Sequence, residues 1–168
     1  MKRIWAPWRM NYVEGIIKED DCIFCSRVVM DDDAENLILF RGAHAFAILN
    51  LFPYTNGHTM VVPYEHKASL EDLDEITRNE IMQLTTKAIT VIRNVYHAEA
   101  FNIGINIGEA AGAGIDEHVH VHILPRWTGD TSFMTTSAKT RVLPEALQKS
   151  YQRLRAEWAK IKTDPRGE

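Results

Sequence analysis

Phe101-Asn-Ile-Gly-Ile-Asn-Ile107, the turn Gly108-Glu-Ala-Ala-Gly-Ala-Gly114 and the run His118-Val-His-Val-His-Ile-Leu124 decide how this chain folds. In the first, Phe101, Ile103, Ile105 and Ile107 alternate with Asn102, Gly104 and Asn106, the period of two that marks a strand with one buried face. In the last, Val119, Val121 and Ile123 alternate with three histidines, and Pro125 is expected to stop the strand. Upstream, Leu37 to Arg41 and Ala45 to Leu49 read as strands broken by Arg41-Gly42, and His58 to Pro63 as a third after the turn Pro53-Tyr54-Thr55-Asn56-Gly57. Between these groups, Ile76, Ile81, Leu84, Ala88, Val91, Ile92 and Val95 recur at helical spacing from Asp74, a suitable N-cap, to His97. Pro144 opens a last helix with the stripe Leu147, Tyr151, Leu154, Trp158 and Ile161. The expected fold is α+β, with a mainly antiparallel sheet of five strands, a long central helix and a C-terminal helix.

The 168 residues, 45% of them hydrophobic, suit one domain with its own core. Residues 1–20 read as an N-terminal extension and 127–168 as a C-terminal one that carries the helix. Nineteen basic against 23 acidic residues give a net charge of -4, which argues against nucleic acid as a partner. No run approaches the roughly 20 apolar residues of a membrane helix, and the start lacks the apolar core of a secretory signal. The expected location is cytoplasmic. Two cysteines, Cys22 and Cys25, are too few for an extracellular disulfide framework and leave metal binding, redox work or plain packing open.

On a strand, His118, His120 and His122 point to one face, with successive imidazoles about 7 Å apart. Each could then act on a different part of one extended substrate. The preceding glycine turn lets backbone N–H groups approach an anion. A neutral imidazole with one nitrogen pinned by a hydrogen bond offers the other as a nucleophile, which suits phosphorus chemistry. The alternatives are a solvated polar strand face and a three-histidine metal site, although residues at opposite ends of five converge poorly on one ion.

The run His118 to Leu124 matches the signature of the histidine triad superfamily of nucleotide hydrolases and transferases. Cys22-Ile-Phe-Cys25, Asn56-Gly-His-Thr-Met-Val-Val-Pro63, Tyr64-Glu-His66, Asn106-Ile-Gly108 and the glycine turn lie in that family's order. Trp5-Ala-Pro-Trp-Arg-Met10, Pro125-Arg-Trp127, Gly129-Asp130 and Arg155-Ala-Glu-Trp158 resemble the bacterial diadenosine tetraphosphate phosphorylase branch. The resemblance implies that His120 attacks the α-phosphorus to give a nucleotidyl-histidine, that the His118 carbonyl orients it, and that His122 contacts the phosphate or bridging oxygen. It also implies that Asn106 and the amides of Gly112, Ala113 and Gly114 cradle phosphate oxygens. Asn50 stands where many family hydrolases have an Asp on the ribose; Phe46 and Ile48 are candidates for the base site. His66 and His118 would complete a structural zinc site with Cys22 and Cys25, no redox cofactor is implied, and the family implies a homodimer.

Inorganic phosphate as acceptor would make the enzyme a phosphorylase yielding ADP and ATP, whereas water would make it a hydrolase of dinucleoside polyphosphates or nucleoside phosphoramidates. Phosphorylases of the branch place a Ser in the glycine turn, but Ala113-Gly114-Ile115 offers no hydroxyl. A hexose-phosphate uridylyltransferase fits less well, because His122 is present and the chain is short. A nucleotide-binding module without turnover would not need an imidazole at position 120. Trp5 and Trp8 suit a sheet edge, a second subunit or the base. Tyr151, Leu154 and Trp158 suit core packing, and Arg126 and Arg141 the surface. His58 reads as a strand-start residue rather than a catalyst, and His44 and His97 as solvated.

Overall fold

A computed structural model describes residues 22–130 and 145–161. The expectations for Trp5, Trp8, Arg141 and Pro144 lie outside the described residues. Five strands, β1 (Ile38–Arg41), β2 (Ala45–Leu49), β3 (Thr59–Pro63), β4 (Ala100–Ile105) and β5 (Val121–Arg126), form one sheet in the order β1-β2-β3-β5-β4. Every neighbouring pair is antiparallel, as the alternating patterns require. Among the described residues the α-helices are α1 (Ile23–Val29), α2 (Glu75–Tyr96) and α3 (Leu147–Trp158). No helix among the described residues is long and apolar enough to cross a membrane.

The Asp74 side chain caps α2 by accepting from Thr77 N at 2.7 Å. The helix ends at His97, in the left-handed region with φ 52°. Its buried stripe takes in Ile81, Leu84, Ala88, Val91 and Ile92 against the sheet. Ile76, expected in that stripe, is instead exposed, and Thr77 is buried one position on. The first turn of α2 is thus rotated with Thr77 inward. Buried Thr85 is tolerated because its hydroxyl donates to the Ile81 carbonyl at 2.8 Å. On α3, Tyr151, Leu154 and Trp158 are buried as expected, with Trp158 stacked on Phe40 at 5.6 Å.

Three elements depart from the expectation. The sequence pattern does not reveal α1, whose seven residues are too few to show a periodicity. The triad strand begins at Val121, so His118 and His120 precede it, and it continues through Pro125 to Arg126. Proline is accommodated because β5 at that point pairs with β4 (Phe101 opposite Pro125), while β3 reaches only to Ile123. β4 ends at Ile105, short of the expected Ile107, and its apolar face is only partly covered: Ile103 is exposed by 47%, and Ile107 just beyond the strand by 42%. α2 lies mainly over β2, β3 and β5 and meets this edge strand where Arg93 sits 5.1 Å over the Phe101 ring, leaving Ile103 uncovered.

Candidate active site

Phe24 of α1 is buried against the rings of His118 and His120, with centroids 5.4 and 5.0 Å away. His118 and His120 are therefore interior groups rather than one exposed polar face. The expected spacing of about 7 Å is also corrected, since the His120 and His122 rings lie 4.7 Å apart. The chain is not yet a regular strand at His120, which lets the rings converge edge to face.

His120 Nδ1–H donates to the His118 carbonyl at 2.8 Å. That bond fixes the tautomer and leaves the Nε2 lone pair unprotonated. Burial pushes the His120 pKa below its ordinary value, against the opposing pull of this hydrogen bond, so the ring is neutral at pH 7.

His58, read from the sequence as a strand-start residue rather than a catalyst, belongs to this cluster. It is fully buried, and its Nε2 lies 2.9 Å from His122 Nδ1. Tyr54 N–H donates to His58 Nδ1 at 3.2 Å, and the Asn50 amide approaches the same nitrogen at 3.3 Å. His58 thus carries its proton on Nε2 and donates to His122 Nδ1, which leaves the His122 proton on Nε2. Gly57 positions this histidine: φ is +79°, and a Cβ there would come within 2.8 Å of the Tyr96 ring. The clue in the sequence was the tight Asn56-Gly57 turn aiming an imidazole into the strand next to the triad.

Burial, then the neighbouring imidazoles, push His58 down to about 3, and burial and His120 push His122 down to about 4. Unfolding restores both towards 6.5, so the unfolded chain binds more protons as pH falls. The contribution of these rings is complete above about pH 6.5 and is lost as pH drops towards 4. Thermal melts should show Tm falling by several degrees between pH 7 and pH 4, with a shallower fall for His58→Gln; equal slopes would contradict this assignment.

The other expected residues fall in four groups. Asn106 lines a cleft with His122. Asn50 is held in the turn beside His58, its Oδ1 accepting from Phe52 N at 2.9 Å, so its polar groups are already engaged. Gly112, Ala113 and Gly114 lie in the β4–β5 connection, but the Gly112 N–H donates to the Glu109 carbonyl at 2.8 Å. Of the three amides expected to cradle phosphate, that one is committed to its own turn. Phe46 and Ile48 are buried, Phe46 in a stack with Tyr64.

A second cluster lies on the far side of His118. One ligand atom each from Cys22, Cys25, His66 and His118 falls within a common 4.8 Å. Cys22 Sγ is 3.2 Å from His118 Nδ1, and Cys25 Sγ is 3.4 Å from His66 Nδ1. The Cys-x-x-Cys spacing sets both thiols on one side of the first turn of α1. His118 Nε2–H donates to the Pro63 carbonyl at 3.0 Å, which turns the Nδ1 lone pair towards the thiols. Burial and the adjacent Cys22 push Cys25 up to about 11, so it keeps its proton unless a cation stabilises the thiolate.

The HIT domain family matches residues 32–129, more than half of the chain. The protein belongs to the histidine triad family. An AP-4-A phosphorylase of Mycobacterium tuberculosis is 41% identical to this HIT chain over 95% of it and 86% of the relative. That likeness marks this chain as a HIT-family enzyme of the same branch. The crystal structure of a zinc-bound histidine triad family protein from Mycobacterium smegmatis superposes with a TM-score of 0.69 at 31% identity, covering 84% of this chain and 95% of that one. A hypothetical histidine triad nucleotide-binding protein from Sulfolobus tokodaii gives the same TM-score at 29% identity, covering 84% and 94%. The sheet and helices described above are the HIT fold.

Proposed function

We propose that this chain cleaves diadenosine tetraphosphate by phosphorolysis to ADP and ATP through a nucleotidyl-histidine. The observation that carries the chemistry is the His120 Nδ1–H bond to the His118 carbonyl, which frees Nε2 to attack. In the first step His120 Nε2 bonds to the α-phosphorus while the bond from that phosphorus to the bridging oxygen breaks, releasing ATP. The ring becomes a cation, and its Nδ1–H bond to the carbonyl strengthens. His122 Nε2–H, held by His58, hydrogen-bonds the departing oxygen; a polyphosphate anion needs such a donor rather than a full proton. In the second step an oxygen of inorganic phosphate attacks the same phosphorus, the N–P bond breaks, and ADP leaves with neutral His120 regenerated. Asn106 beside His122 would meet phosphate oxygens.

The choice of phosphate over water is supported by the likeness to the M. tuberculosis phosphorylase over 95% of the chain. With Ala113 in the turn, the acceptor phosphate must be held by backbone amides and Asn106 rather than by a hydroxyl there. Incubation with diadenosine tetraphosphate, with and without phosphate, tests this reading. ADP plus ATP formed only with phosphate is the expected result; AMP plus ATP without it would make the enzyme a hydrolase.

Two thiols and two imidazoles are the donor set and number of a structural zinc site. Cys22, Cys25, His66 and His118 would hold the ion, which when bound ties α1 to the head of the triad. The zinc-bound M. smegmatis relative supports this reading. A homodimer fits the open edge of β4, where Ile103 and, just beyond the strand, Ile107 are exposed.

A further inference from the structure

A cleft of about 240 Å³ opens beside His122. It runs away from His120, because Gly104 stands opposite His122 and Asn102 opposite Leu124, one step further along the paired strands. Directly opposite residues share a face, so these four groups form a track that leads off from the reacting end. The transferred adenylyl group belongs at His120, which leaves this track on the leaving-group side of the scissile bond.

Beyond Asn106, placed above at the phosphate chain beside His122, the lining has the character of a nucleoside site rather than a phosphate site. Gly104 forms its floor, and a Cβ built there meets nothing within 4 Å. The Tyr54 ring forms one wall, 54% exposed and 27° from the plane of His122 at 6.4 Å. Asn102 supplies the polar group: its Oδ1 accepts from Arg126 Nη1 at 2.7 Å, which leaves the amide NH₂ as the donor. Arg126 is itself held by Asp130 through Nε at 2.5 Å and Nη2 at 2.8 Å. Its charge is matched there and is not the anchor for a phosphate chain.

We infer that this cleft receives the nucleoside of the leaving group, its base stacked on Tyr54 above Gly104 and its polar edge or ribose met by the Asn102 amide. The inference rests on the proposed dinucleoside polyphosphate reading and adds to it the subsite that makes the substrate a dinucleotide. Tyr54 therefore serves twice. Its backbone N–H donates to His58, a bond that side-chain replacement spares, while its ring lies 4.9 Å from that of His58 and receives the second base, so Tyr54→Phe, which keeps both ring contacts, is the control.

Calorimetric binding of AMP and of diadenosine tetraphosphate, in a His120→Asn background that prevents turnover, separates the two halves. The preference for the dinucleotide over AMP should fall about ten-fold in Tyr54→Ala, the loss expected for one base–aromatic stack. Gly104→Val, which fills the floor, should lower it at least as much, and Tyr54→Phe, which keeps the ring, should retain it. Equal weakening of both ligands, or an unchanged preference in Tyr54→Ala and Gly104→Val, would overturn the subsite. If wild type still yields ADP and ATP, either result leaves the proposed function standing. Binding of neither ligand would overturn both.

Discussion

Replacing His120 by asparagine should lower turnover of diadenosine tetraphosphate by about 10⁴-fold or more, the scale on which removal of a covalent nucleophile acts. Asparagine can still donate to the His118 carbonyl, as His120 Nδ1–H does at 2.8 Å, but it offers no basic nitrogen to phosphorus. The side chain is smaller, and Phe24 and His122 close around the site, so the fold and the binding of nucleotide should survive. Loss of turnover with nucleotide affinity retained is the expected result in parallel kinetic and calorimetric assays. Unchanged turnover would remove His120 from the chemistry. His122→Ala should cost about 10²-fold, since it withdraws a hydrogen-bond donor from the departing oxygen and leaves the nucleophile in place.

The second large effect concerns the four-ligand cluster. The protein should carry one zinc ion per chain by elemental analysis, and Cys25→Ser should abolish it. Tm should then fall by at least about 5 °C, the shift produced by about 2 kcal/mol in a domain of this size. The cause is that α1, seven residues long, has little stability of its own and is tied to the sheet by thiols at one end and by Phe24. The consequence reaches the active site. His118 offers Nδ1 to the thiols and its carbonyl to His120, so losing the ion loosens the group that orients the nucleophile. Metal-free protein with an unchanged melting temperature would contradict a structural role.

Much of this architecture is legible in the sequence because it rests on periodicity. The alternation in β4 and β5, the short apolar run of β2 and the Asp74-capped stripe of α2 are local patterns, and the structure reproduces them within a few residues. Where the reading failed, a long-range contact decided. Thr77 turns inward in place of Ile76, and Ile103 stays exposed because α2 packs mainly over β2, β3 and β5. The triad histidines were identifiable as a set, but the distance between their rings was not, since it depends on where the strand begins. His58 escaped because the chain separates it from His122 by 64 positions, and only the β3–β5 pairing joins them. The metal ligands were named through family likeness; the structure adds why His118 can serve both clusters, with one ring nitrogen, one carbonyl and one tautomer committed in advance.

The central claim is that the adenylyl group passes through a bond to one named nitrogen. Mixing the protein with diadenosine tetraphosphate in the absence of phosphate, quenching rapidly in base and mapping peptides by mass should find an acid-labile adenylyl group on His120. The adduct should be absent from His120→Asn and should disappear from wild type when phosphate is added, as ADP forms. Turnover that proceeds with no adduct at any quench time, or an adduct on another residue, would contradict the account.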